Sequence, residues 1–185
     1  MALIRFATAR DLFDAFPTAR QDVDAEPSDA APLDYLKSLC DSGELAKAAA
    51  FCAYLLPRRE AVAWGCWSVR RLVEKLPAQE EAGVRIAEEW VEVPEEERRV
   101  AALQHGTDSD YNWPSTWLAL AAGWSGGNMA LGFEGAVATP PPQQTARSVR
   151  AALAAAVARL APAERQDRMR TCVEAGIRIA ADGKP

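Results

Sequence analysis

Pro57-Arg58-Arg59-Glu60-Ala61-Val62-Ala63-Trp64-Gly65-Cys66-Trp67-Ser68-Val69-Arg70-Arg71-Leu72-Val73-Glu74-Lys75-Leu76-Pro77 carries the pattern on which the fold turns. Val62, Cys66, Val69, Val73 and Leu76 recur at steps of four, three, four and three, which aligns them on one stripe of an α-helix. Proline brackets the segment, and proline suits a helix start and forbids a helix interior. Stripe and punctuation together predict a helix that ends at the second proline and hands over to another.

The same grammar runs outward in both directions. Upstream, Leu33, Leu36 and Leu39 or Cys40 open a helix ending near Gly43, and Leu45 to Leu56 follows with apolar residues on every side, the mark of a central helix. Downstream, Gly83, Ile86, Ala87 and Trp90 share a face, and Pro94 with Glu95, Glu96 and Glu97 begins a helix carried by Val100 and Leu103 to Gly106. Trp113, Trp117, Leu120 and Trp124 read as core, and Val149 to Leu160 and Met169 to Ala180 give the last two stripes. No segment alternates with a period of two between turn signals, so no sheet is expected. The expected fold is all-α, a single domain of about seven to nine helices packed as antiparallel hairpins in an orthogonal or superhelical bundle.

Residues 1–32 stand apart. Thr8 and Asp11 signal an N-cap before a short helix, and Pro17, Pro27 and Pro32 among small and acidic residues predict a loose acidic linker before the helical domain at 33–183. Asn128 to Gln144, with Pro140-Pro141-Pro142, reads as a long surface crossing whose Met129, Leu131 and Phe133 form either a partner-binding lip or a strap over the core.

Composition bounds the chemistry. At 185 residues and 49% apolar the chain can build one core unaided, and a net charge of -5 argues against nucleic acid and anionic lipid as partners. No run approaches a membrane span and the opening residues lack a signal-peptide core, which predicts no membrane insertion and a cytoplasmic location. Cys40, Cys52, Cys66 and Cys172 form no Cys-x-x-Cys pair and read as reduced thiols, so neither metal nor cofactor is expected.

No reactive constellation assembles in the sequence. Gly123-Trp124-Ser125-Gly126-Gly127 has the spacing of a nucleophile elbow, but a helix precedes it and the only histidine, His105, lies upstream; a helix-ending turn is the reading adopted. The expectation is a chain with no catalytic residue. On a wheel at about 100° per residue, Trp64 and Trp67 fall opposite the Val62 stripe, beside Glu60, Arg71 and Glu74. Such a pair needs a cover, either another helix layer or a protein partner; in the second case Trp64, Trp67, Arg58, Arg59 and Arg71 are the binding residues.

Leu55-Leu56-Pro57-Arg58-Arg59-Glu60-Ala61-Val62, the Trp117 to Gly127 segment ending Trp-Ser-Gly-Gly, and the closing Ala180-Ala181-Asp182-Gly183 resemble an uncharacterised family of bacterial helical proteins, a domain of unknown function. The likeness covers most of residues 33–183. It implies a helical fold, supplies no catalytic residue, and, since members often lie near type VI secretion genes, implies an accessory or adaptor protein of that machinery. A non-enzymatic interaction protein is thus the leading expectation. The alternatives are an immunity protein that neutralises a secreted toxin and a helical small-molecule-binding protein.

Glu81-Ala82-Gly83-Val84-Arg85-Ile86-Ala87 and Glu174-Ala175-Gly176-Ile177-Arg178-Ile179-Ala180 nearly repeat one another. In each, the glycine is expected to admit a neighbouring helix closely, because it presents no side chain.

Overall fold

Ten α-helices make up the described part of the chain: α1 (Ala9–Ala15), α2 (Ala19–Val23), α3 (Pro32–Asp41), α4 (Leu45–Leu55), α5 (Arg58–Leu72), α6 (Ala78–Glu92), α7 (Glu96–Thr107), α8 (Pro114–Gly123), α9 (Gln144–Ala158) and α10 (Arg165–Asp182). The structure, a computed structural model, describes residues 3–127, 129–130 and 137–183. The fold is all-α. Its only strand pairing among the described residues is a two-residue antiparallel ladder, Met129 with Ala138 and Ala130 with Val137. Leu131 and Phe133, the other residues of the anticipated lip, lie outside the described residues.

Two helices act as centres. In α4 every residue from Ala48 to Leu55 is buried, and in α8 every residue from Leu118 to Gly123. Helix α4 packs against α2, α3, α9 and α10, while α8 packs against α5, α6, α7 and α9. Helices α5 and α9 touch both groups and join them into one core. A helix apolar all round is stable only where neighbours cover every face, which is why these two sit innermost.

Three features depart from the sequence reading. Helix α5 ends at Leu72, and Val73 is already extended, so the stripe stops short of Leu76. In α7 the buried residues are Arg99, Ala102 and Gly106, while Val100 is 48% exposed. Helix α8 presses so closely on α7 that a Cβ at Gly123 would lie 2.6 Å from the Leu103 backbone. Backbone proximity, not a leucine stripe, decides which side of α7 faces in. Trp113, Trp117 and Trp124 are half-buried at the ends of α8, whose interior is leucine and alanine.

The N-terminal region is docked, not loose. The Thr8 side chain and Asp11 form a capping box at α1, and Ala9 and Arg10 donate backbone hydrogen bonds to Ala30 and Ser28, folding residues 28–30 back along the helix. Phe13 lies 5.8 Å from Phe51 and Phe16 lies 5.3 Å from Tyr54, ring to ring. Between the prolines, Ala19, Asp22 and Val23 of α2 are buried. Prolines fix the turns, and three inward-facing side chains suffice to hold a five-residue helix that composition alone predicts to be unstructured.

Candidate functional site

The five anticipated binding residues share α5 but do not share a surface. Trp64 is wholly buried, and its indole N–H donates to the Cys172 carbonyl oxygen at 2.8 Å. A Cβ at Gly176 would overlap Cys52 Sγ and stand 3.1 Å from the Trp64 indole, so a bare backbone on α10 is what makes room for it. Trp64 is therefore a core residue. The wheel placed it opposite Val62, and of the two covers left open for that side it is the helix layer that buries Trp64, because α5 is flanked on its several faces by α4, α6, α8, α9 and α10.

Arg58 and Arg59 serve helix ends. Arg58 Nη1 donates to the Ser125 carbonyl at 2.8 Å, and Arg59 donates to Val91 and Glu92 at 2.6 and 3.3 Å, in the last turn of α6. Arg98 reaches Glu89 O at 2.7 Å, and buried Arg99 donates to Gly123 O while paired with Glu96. Neither α6 nor α8 ends in a left-handed glycine cap, so these guanidinium groups satisfy the terminal carbonyls and meet the negative end of each helix dipole. The Ser125-Gly126-Gly127 turn lies against Arg99, and a Cβ at Gly127 would overlap its guanidinium. The Trp-Ser-Gly-Gly motif is thereby explained as an arginine-clamped turn.

Trp67 and Arg71 remain at the surface. The Arg71 guanidinium lies 5.0 Å from the Trp67 ring centroid, over a half-buried indole. Arg168 of α10 borders the pair, donating to Arg71 O and to Glu74 Oε1 at 3.1 Å each. Arg70 faces another way, gripping Glu81 at 2.7 Å and Glu88 at 2.6 Å and so tying α5 to α6. Those bonds hold the Glu81 carboxyl below the usual carboxylate range.

The nucleophiles and titratable groups are dispersed. Ser125 Oγ donates to Ala121 O at 2.7 Å and lies 3.2 Å from Thr145 Oγ1, with no bond to His105. His105 borders a shallow cleft with Asp108, Ser109, Asp110 and Trp113; its Nε2 would stand 3.1 Å from a Cβ at Gly83, on the α6 face that Ser115 also meets. Burial pushes the Cys172 thiol up to about 11 and those of Cys52 and Cys66 higher still. Among the described residues no three His, Cys, Asp or Glu side chains group as metal ligands, and no helix is long and apolar enough to cross a membrane.

One polar cluster was not legible in advance. The Asp22 side chain, 4% exposed, accepts the Tyr54 O–H at 2.5 Å and faces Arg147 Nε at 3.0 Å and Arg150 Nη2 at 3.3 Å. Thr18 Oγ1 lies 3.0 Å from the same phenol. Desolvation, then the bond to Asp22, raises the Tyr54 hydroxyl well above its ordinary value. The available signal was the pair of arginines one turn apart on α9, the basic company that a buried carboxylate such as Asp22 requires.

Helical packing around two apolar centres, with arginine-capped helix ends, defines an all-α domain. The chain belongs to a family of unknown function, DUF6931, whose model matches residues 35–180, so α1 and α2 lie outside the matched region. Neither the curated proteins nor the solved structures contain a significant match.

Proposed function

We propose that the protein is a non-enzymatic interaction module, an adaptor that engages another protein through the α5–α10 surface at Trp67, Arg71 and Arg168. The observation that carries this reading is the Arg71 guanidinium stacked over a half-buried tryptophan on the outside of the fold. Tryptophan and arginine dominate the energetics of protein interfaces, because each combines a large contact area with directional polar groups. The stack holds both side chains ready, which lowers the ordering cost of association. Arg58, Arg59, Arg98 and Arg99 are occupied with helix ends and Arg70 with Glu81 and Glu88, so the surface narrows from the five residues anticipated to Trp67 and Arg71 with Arg168 beside them. The finer reading, an accessory role in type VI secretion, rests on the sequence resemblance.

The test is affinity capture from the native host with quantitative mass spectrometry, comparing wild type with Trp67→Ala and Arg71→Glu. Both positions reach solvent, so the variants should melt within a few degrees of wild type. A single partner enriched by wild type and lost from both supports the proposal; equal enrichment by all three proteins rejects this surface.

A further inference from the structure

A cleft of about 510 Å³ opens between α2, α4, α9 and α10, within the size range of small-molecule sites built between helices. Its trough is formed by Leu153, Ala154 and Val157 of α9, Ala49 of α4 and Met169 of α10. From Arg150 to Ala158 the trough follows α9 for about 12 Å, at roughly 1.5 Å of rise per residue. Between its ends the α9 side is alanine and larger aliphatic side chains, while Asp24, Glu44 and Lys47 of the opposite wall face one another. A peptide laid along α9 would find few partners for its backbone N–H and C=O groups, whereas a plain alkyl chain needs none.

The head of the trough carries unbalanced positive charge. Asp22 offers one carboxylate to two guanidinium groups, and Arg147 takes the closer position, at 3.0 Å against 3.3 Å for Arg150. Arg150 Nη1 reaches only the Asp22 carbonyl, at 3.4 Å, and Arg150 Nε is buried without an acceptor. Arg150 lines the cleft with its side chain 43% exposed, and its Nη atoms hold only long contacts to Asp22, which leaves donor capacity for a ligand. Elsewhere on the rim the charges are occupied: Lys47 faces Asp24 at 3.9 Å and Glu44 at 3.5 Å, and Arg165 donates to the carbonyls of Ala158, the last residue of α9, and Leu160 just beyond it. We infer that the cleft binds a single-chain amphiphile with a carboxylate head, its alkyl chain along the α9 trough and its carboxylate accepting from Arg150. This site is independent of the Trp67 surface.

The experiment is calorimetric titration of the full chain with decanoate, decanol and decyltrimethylammonium, each below its micelle concentration. Decanoate should bind saturably with one-to-one stoichiometry, and at least about tenfold more tightly than the cation of equal chain length, the ratio that one charge-assisted hydrogen bond supplies. Arg150→Gln should weaken decanoate about tenfold while leaving decanol unchanged. Ala154→Trp, at an exposed position on the trough, should abolish binding of both without lowering the melting temperature. If Arg150→Gln disturbs folding through Asp22, Ala154→Trp still decides the matter. Equal affinity for the cation, absence of saturable decanoate binding, or undiminished binding by Ala154→Trp overturns the proposal.

Discussion

Replacing Gly176 by alanine adds one methyl group at the tightest helix crossing around Trp64. The new Cβ would overlap Cys52 Sγ and lie 3.1 Å from the Trp64 indole, and Cys52, Trp64 and Gly176 are all buried, so nothing can swing outward. Overpacking of that kind costs about 1–3 kcal/mol, and the severity of the overlap places it near the upper end. Alanine in a helix interior recovers about 1 kcal/mol over glycine, leaving a net loss of about 2 kcal/mol. For a chain of this size that corresponds to a fall in melting temperature of about 4–8 °C. The decisive assay is a double-mutant cycle by urea denaturation with Cys52→Ala, which removes the sulfur. In that background Gly176→Ala should cost less by at least about 1 kcal/mol, because the principal clash is gone and the propensity gain remains. A Gly176→Ala protein as stable as wild type, or additive effects of the two substitutions, would refute the idea that sulfur, indole and bare backbone compete for one space.

The Arg70 clamp makes stability depend on acid. Hydrogen bonds from Arg70 lower the Glu81 carboxyl in the folded state, so its contribution is present above the ordinary value of about 4.3 and is lost as pH falls through the lowered folded-state value. The urea midpoint of wild type should therefore drop between about pH 5 and pH 3; Arg70→Met should flatten part of that drop, and superimposable pH profiles would remove the clamp from the account. Since all four cysteines are buried, with desolvation the leading cause of each raised thiol, Ellman's reagent should react slowly with the native protein at pH 8 and rapidly in denaturant. A fast native phase would contradict the packing of α3, α4, α5 and α10.

Much of the helical layout could be read locally. Proline punctuation located the starts of α5, α6 and α7, and the left-handed Gly183 ends α10 where the apolar stripe does. The repeated Glu-Ala-Gly heptapeptides carry glycines that each admit a close neighbour, Ser115 and His105 at Gly83, Cys52 and Trp64 at Gly176. The candidate site was legible only in part. Trp67 and Arg71 do meet at the surface, yet Trp64, three residues before Trp67, is sealed by α10 from more than a hundred residues away.

What the sequence by itself determined is the all-α class, the order of the longer helices and the all-round apolar character of α4, because periodicity and capping are properties of a few neighbouring residues. Only the tertiary structure decided which arginines end up on carbonyls, which tryptophan is covered, that α2 docks through Asp22, and that α2, α4, α9 and α10 leave a trough between them. Those outcomes depend on which surfaces meet across long stretches of chain, and a helical stripe states that a face must be covered without stating by what.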